Sequence, residues 1–367
     1  MAIFFRTDSS ILIGTGHLMR CLTLAKALQA RGADCHFLCK DIPGHSMEKV
    51  RSHGFPVFSL APGKENPDPG DPVHAHWLEG SWKEDAAQSL SFIKHRQPDW
   101  IVVDHYGLDI RWEKEIRPCT GKIFVLDDLA DRCHDCDILL DSGREPESLD
   151  YKDLVPPHCI QLLGTDHLLL REEFIRMRPE SLKKRKTPAL RRILITMGGM
   201  DTANLTGRVL KKLQSFPFIK ELEVDLVLGG KAPHMEAVRQ ELVSFPCPVQ
   251  MHIDTPSMAK LMAKSDLAIG APGSTAWEFC CMGLPSFLFL LAENQKTIAK
   301  HLKRHEAAWI FENIEEGLTE LPLLLEKIKK NPLSLQEISV KSQYLTDGKG
   351  TNRVVRHFFA DPHRGTK

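Results

Sequence analysis

The sequence predicts an α/β protein of two domains, each built on a parallel β-sheet, and three observations carry that expectation. The chain has 367 residues, about twice the ~150 of a common domain. Short apolar runs alternate with amphipathic helical stretches along most of it. Several of those runs, Trp100-Ile101-Val102-Val103 and Ile123-Phe124-Val125-Leu126 among them, are continuously apolar, the pattern of parallel strands covered on both faces.

Taken in order, Ile3-Phe4-Phe5 opens the first sheet. Leu18, Cys21, Leu22, Ala25 and Leu28 then recur at helical spacing until Gly32 stops the helix. Strands follow at Cys35-His36-Phe37-Leu38-Cys39 and Val57-Phe58. Residues 61–76, with Pro62, Pro67, Pro69 and Pro72, read as a surface loop or insertion, and the strands at 100–103 and 123–126 come after it. From Arg176 to Arg192 the apolar pattern lapses into Pro179, Lys183-Lys184-Arg185-Lys186 and Pro188, the composition of a solvated linker. Ile193-Leu194-Ile195 begins a second series, with strands at 222–228, 249–253, 267–269 and 286–290. The expected division is a first domain at 1–175, a linker at 176–191, a second domain at 192–345 and a tail at 346–367. Ligands of open parallel sheets bind beyond the carboxyl ends of the strands, so the expected site is a cleft that the two domains face.

Composition removes other classes. The 48 Lys and Arg are matched by 48 Asp and Glu, which leaves no surplus of cations for a nucleic acid. The longest wholly apolar run, 287–292, is far below the ~20 residues that a membrane-spanning helix needs. The opening Met1-Ala2-Ile3-Phe4-Phe5-Arg6 meets a charge too soon for an export signal. The ten Cys are therefore expected as reduced thiols in a cytoplasmic protein. Cys133-His134-Asp135-Cys136 suggests half a zinc site, with His158 and Cys159 as candidate partners, but no second pair at matching spacing completes four ligands. Buried free thiols are the expectation, with no metal and no cofactor.

Three loops carry the chemistry. In Gly14-Thr15-Gly16-His17, glycines let a ligand approach the backbone at a helix start. A dinucleotide fingerprint fails there, because Met19 stands where its third glycine belongs. His17 is either a cap of that helix or a general base held neutral by the positive helix end. Val103-Asp104-His105-Tyr106-Gly107 closes a buried strand, and its Asp is equally a site residue or a turn former. Asp127-Asp128 closes the next strand and reads as capping and turn residues rather than metal ligands. The third loop, Gly270-Ala271-Pro272-Gly273-Ser274-Thr275, runs into a helix with Glu278 on its first turn. That start can hold a diphosphate on Gly273, Ser274 and Thr275, with Glu278 accepting both ribose hydroxyls. Thr275 and Glu278 equally have the spacing of a capping box. The following Gly283-Leu284-Pro285 and Glu293-Asn294-Gln295 favour the nucleotide-sugar reading.

Arg6-Thr7-Asp8-Ser9-Ser10, Gly14-x-Gly16-His17, Asp104-His105-Tyr106-Gly107, Leu126-Asp127-Asp128, Leu170-Arg171-Glu172-Glu173-Phe174 and Met197-Gly198-Gly199-x-Asp201 follow one another in order. Together they resemble the PseG family, the UDP-2,4-diacetamido-2,4,6-trideoxy-β-L-altropyranose hydrolases of pseudaminic acid biosynthesis, and its spore-coat polysaccharide relatives. The likeness spans roughly residues 1–310. It implies a GT-B fold, two Rossmann-like parallel-sheet domains facing an interdomain cleft, and metal-free hydrolysis to UDP and free sugar on the way to flagellin or surface glycans. His17 matches the family's catalytic His, Tyr106 the Tyr that faces the sugar, Glu278 the ribose-binding Glu and Asn294 a cleft-lining Asn. Gly14, Gly16 and Gly198 join the expected substrate-binding set, as do Arg171 and Phe174, each of which equally fits helix packing. Water is the expected acceptor and a monomer the expected state. The alternative is a GT-B glycosyltransferase with a UDP-amino-sugar donor, because 270–295 also resembles the donor half of such enzymes.

Overall fold

The structure, a computed structural model, describes residues 1–360. They fall into two units: Met1–Leu169 together with the segment from Gly350, and Leu170–Lys349. No helix among the described residues is long and apolar enough to cross a membrane.

In the first unit the order is β1 (Ala2–Thr7), α1 (Gly16–Gln29), β2 (Asp34–Lys40), α2 (Met47–Ser52), β3 (Val57–Leu60), α3 (Trp82–Ile93), β4 (Trp100–Asp104), α4 (Ile110–Ile116), β5 (Lys122–Leu126), β6 (Ile138–Asp141) and β7 (Ile160–Leu163). The strands form one parallel sheet ordered β3-β2-β1-β4-β5-β6-β7. Alternate residues of a strand face opposite sides, and both sides are apolar here. Ile3 and Phe5 pack into one core cluster with Val102 and Phe124. Phe4 packs into the other with Ile101 and Val103. That two-sided burial is why the runs read as unbroken apolar segments.

The second unit comprises α5 (Glu172–Arg185), β8 (Arg192–Thr196), α6 (Leu205–Leu213), β9 (Glu223–Leu228), α7 (Met235–Val243), β10 (Val249–Ile253), α8 (Met258–Lys264), β11 (Leu267–Gly270), α9 (Ser274–Cys281), β12 (Ser286–Phe289), α10 (Lys296–Arg304), β13 (Trp309–Phe311), α11 (Ile314–Lys330) and α12 (Leu333–Tyr344). Its parallel sheet is ordered β10-β9-β8-β11-β12-β13. The last helix, α13 (Gly350–Phe358), belongs to the first unit, where Phe358 stacks on Phe124 and tilts against Trp100.

Two stretches differ from expectation. Most of the residues expected as a linker are helical in α5. That helix presents polar side chains at apolar spacing. Ser181 donates to the Met282 carbonyl at 2.6 Å, and the buried Arg185 donates to the Met262 carbonyl at 2.8 Å and to Ser265. These bonds satisfy carbonyls at the ends of α8 and α9, which have no partner inside their own helices. The expected tail likewise holds α13, whose Val354, Val355 and Phe358 enter the first unit's core.

In each sheet the strand order reverses once, between β1 and β4 and between β8 and β11. Crossovers leave those strand pairs in opposite directions, and the ends gape into a crevice. The loop after β1 leads to His17 on the first turn of α1, and the loops after β4, β8 and β11 hold Tyr106, Gly198 and Gly273.

Candidate active site

Parallel pairing sets Thr7 of β1 beside Asp104 of β4, so the loop into α1 and the end of β4 meet. The buried Asp104 carboxylate accepts from His17 Nδ1 at 2.6 Å and from Arg20 Nε and Nη2, each at 2.7 Å. Arg20 lies one turn beyond His17 on α1 and reaches Asp128 with Nη1 at 2.6 Å. Tyr106 donates its hydroxyl to the same Asp128, and its ring meets the His17 ring edge-on at 4.5 Å between centroids.

Burial alone would raise the pKa of Asp104, but the Arg20 guanidinium and His17 outweigh it and hold the carboxyl well below the usual carboxylate range. An ionised carboxylate only accepts hydrogen bonds. A neutral His17 therefore carries its proton on Nδ1, and Nε2 is left as the acceptor. Burial and Asp128 together keep the Tyr106 phenol protonated far beyond its ordinary range, so it remains a donor. The site thus holds an oriented imidazole whose free nitrogen can take a proton, at the start of a helix with no side-chain cap.

Gly14 and Gly16 lie immediately before His17. At both, nothing in the protein comes within 4 Å of where a Cβ would stand. Gly14 has a positive φ of 77°, whereas Gly16 has neither strain nor crowding to require a glycine. What its missing side chain leaves is open approach to the backbone at a helix start.

In the second unit, Gly270 at the end of β11 pairs with Thr196 at the end of β8. Gly198 follows with a φ of 91°, and Asp201 accepts from the first two N–H groups of α6, those of Leu205 and Thr206, at 2.8 and 2.9 Å. Gly273 is the N-cap of α9, no side chain caps that helix, and again nothing lies within 4 Å of a Cβ on Gly273. Ser274 is exposed and Thr275 half-buried on the first turn. The N–H groups there have no partner inside the helix and carry the positive end of its dipole, a setting that suits a diphosphate.

The capping-box reading of Thr275 and Glu278 does not hold, because the cap is Gly273 and Glu278 turns elsewhere. It accepts from Arg171 Nη2 at 3.1 Å. Burial raises its pKa and Arg171 pulls it back. Arg171 also pairs with Glu173 at 2.5 Å and lies 4.8 Å over the ring of Phe174. Phe174 itself is fully buried, so it supports Arg171 from the core, and the expectation that it lines a ligand is corrected. Asn294 sits in a single 3-10 turn, Glu293–Gln295, after β12.

The first unit therefore brings Gly14, Gly16, His17 and Tyr106 together, and the second brings Gly198, Gly273, Ser274 and Thr275 to neighbouring strand ends and joins Arg171 to Glu278. Sequence reasoning missed Arg20 and Asp128. Arg20 stands three residues after His17, the spacing that puts two side chains on one helix face, and that was the available signal. Asp127 does take the expected turn role, accepting from Ala130 N–H at 2.9 Å, but Asp128 does not. The half zinc site separates: Cys133 is exposed, Cys136 is buried with its Sγ 3.5 Å from that of Cys159, and His134 bonds Glu113 at 2.7 Å.

Two parallel sheets with glycine loops at both switch points define a GT-B protein. The fold matches that of MurG from Acinetobacter baumannii at a TM-score of 0.66 and 16% identity, over 98% of this chain and 99% of that one. It also matches a UDP-GlcNAc 2-epimerase from Neisseria meningitidis at a TM-score of 0.60 and 11% identity, over 98% of this chain and all of that one. Residues 192–353 match the glycosyltransferase family 28 C-terminal domain. The spore coat polysaccharide biosynthesis protein SpsG of Bacillus subtilis is 32% identical over 72% of this chain and 78% of its own length. The UDP-2,4-diacetamido-2,4,6-trideoxy-beta-L-altropyranose hydrolase of Campylobacter jejuni is 27% identical over 83% of this chain and 97% of its own. The chain belongs to this PseG-like and SpsG-like family of GT-B proteins.

Proposed function

We propose that the chain is an enzyme of nucleotide-sugar metabolism that hydrolyses UDP-2,4-diacetamido-2,4,6-trideoxy-β-L-altropyranose, or a close UDP-diacetamido sugar, to UDP and the free sugar with inversion. The observation that carries this reading is the buried pair of His17 and Asp104, with His17 Nδ1 on the carboxylate at 2.6 Å. A water hydrogen-bonded to His17 Nε2 attacks the anomeric carbon from the face opposite UDP. Its proton passes to Nε2, a carbon–oxygen bond forms, and the bond to the diphosphate breaks with its electron pair leaving on UDP. Asp104 stabilises the imidazolium that results. The first turn of α9 binds the diphosphate and meets the growing negative charge with N–H donors already in place, so turnover is expected to persist in EDTA. Glu278 accepts the ribose hydroxyls, with Arg171 setting its position.

The test is proton NMR of the purified protein with that UDP-sugar and excess EDTA, following the anomeric signals. UDP release with free sugar appearing first as the inverted anomer is the expected result. His17→Ala should lower turnover ~10²–10⁴-fold, the range of general-base catalysis, while UDP still binds. Turnover unchanged in that variant refutes the assignment.

The match to a glycosyltransferase domain over 192–353 favours one second reading, transfer from a UDP-amino-sugar to a sugar or lipid acceptor. Consumption of donor only when an acceptor is supplied would establish it. A cytoplasmic, monomeric protein is expected in either case, which fractionation and light scattering check.

A further inference from the structure

The segment between β3 and α3 reads in the sequence as a surface insertion, yet it is tied down along its length. Its neck closes where Gly63 N–H donates to the Glu79 carbonyl at 2.6 Å. Glu84, on the first turn of α3, accepts from Lys64 N–H at 2.9 Å and from Ser81 N–H at 3.1 Å. Asp71 pairs with Arg111 at 2.8 Å. The buried ammonium of Lys40 donates to the Leu78 carbonyl at 2.6 Å. These bonds fix a 3-10 turn, Ala75–Leu78, that carries Trp77.

The Trp77 ring is buried against the catalytic loops. It stacks on Tyr106 at 5.5 Å with 27° between planes, and it meets His17 edge-on at 5.9 Å. His74, one turn earlier, sits edge-on to Trp77 at 4.7 Å and to Tyr106 at 5.5 Å. Ile13 and Ile42 complete the same apolar cluster. Gly107 confirms how close the approach is from the other side. A Cβ there would stand 2.9 Å from the His74 carbonyl oxygen and 3.1 Å from Leu78 Cγ, so the glycine that ends Asp104-His105-Tyr106-Gly107 is what lets this segment reach the loop. Burial lowers the pKa of His74.

We propose that segment 61–81 is a working part of the hydrolytic site, with Trp77 as a positioning residue that holds the His17 imidazole and the Tyr106 ring in place and His74 as the brace of Trp77. The proposal rests on the hydrolase reading of His17. It adds a role for a segment that lies outside the glycine loops.

The test compares Trp77→Ala, Trp77→Phe and His74→Ala with the full-length wild-type chain. Three readouts are needed: steady-state hydrolysis of the UDP-diacetamido sugar, UDP affinity by calorimetry, and the imidazole resonances of His17 by NMR. Trp77→Ala should lower kcat ~10–100-fold, the effect of displacing a reacting group by about an ångström, with KM and UDP affinity changed less than ~3-fold. Trp77→Phe should recover most of that loss, since a flat ring again lies against His17. His74→Ala, in a half-buried surface position, should give a smaller fall in kcat and keeps the test open if Trp77→Ala does not fold. The His17 resonances should move in both alanine variants. Unchanged kcat in folded Trp77→Ala and His74→Ala, or unmoved His17 resonances, overturns the proposal, as does a Phe variant no better than Ala. Should wild type turn over no UDP-sugar, the hydrolase reading fails by itself, and the His17 resonances still decide whether the segment positions that ring.

Discussion

Replacing Asp104 by Asn barely changes the shape around His17, but it changes what the imidazole is told about its proton. The carboxylate accepts three short bonds, one from His17 and two from Arg20. An amide has one accepting oxygen and a donating NH2 group. If the NH2 group faces His17, Nδ1 must accept, the ring proton moves to Nε2, and the base is lost. If it faces Arg20 instead, donor meets donor at 2.7 Å and the charge that stabilises imidazolium is gone. Either way most of the ~10²–10⁴-fold due to a general base should vanish, equivalent to ~3–5 kcal/mol of barrier. The assay is kcat and KM for the UDP-diacetamido sugar in Asp104→Asn, His17→Ala and the double variant, with thermal unfolding as the folding control. Groups that act as one unit are not additive, so adding Asp104→Asn to His17→Ala should cost less than ~3-fold more. A folded Asp104→Asn with wild-type kcat, or an additive double variant, would refute the argument that Asp104 sets the His17 tautomer.

Three further outcomes are expected. Gly273→Ala should fold with a melting temperature within ~2 °C of wild type, because its Cβ meets nothing in the protein, and yet weaken UDP binding by ~10-fold or more, read by calorimetry. Glu278→Gln should raise KM by more than it lowers kcat, as for a group that binds ground and transition states alike, and steady-state kinetics check it. Acid stability depends on Asp85 and Asp127. Burial would raise both, but Arg6 in one case and Arg132 in the other hold them down at about 2. Their folded pKa lies below the unfolded ~3.9, so the stabilisation is complete above about pH 4 and lost as pH falls through 2. It amounts to roughly 2–3 kcal/mol each. Denaturant titrations at pH 7, 4 and 3 should show Asp85→Asn less stable at pH 7 but with a smaller loss on acidification than wild type.

The strands with both faces buried were legible because apolar residues leave an unbroken mark, as at 100–103 and 123–126. The two glycine loops were legible for a different reason, since Gly16 and Gly273 serve no packing purpose and stand out against the pattern. The helix α5 was not legible. After Phe174 its inward face is made of Arg178, Ser181 and Arg185, which bond carbonyls of neighbouring segments, so hydrophobic periodicity has little to register although the spacing is helical. The short strands β6 and β7 were missed too. Each is four residues long, too brief for a period to declare itself. Within the site, His17 and Tyr106 could be singled out one at a time. The joining of Asp104, Arg20 and Asp128 could not, because it depends on which strand ends the topology places side by side.

The helix α13 alters how the protein must be made. The unit that carries His17 is not finished when residue 169 has been synthesised. Phe358 has still to arrive and fill the space against Trp100 and Phe124, in the cluster that also holds Leu18, Cys21 and Leu22 of α1. The whole second unit is therefore translated while the core against α1 is still incomplete. A ribosome that stalls before residue 350 leaves a chain whose second unit is fully synthesised while its first still lacks a core helix.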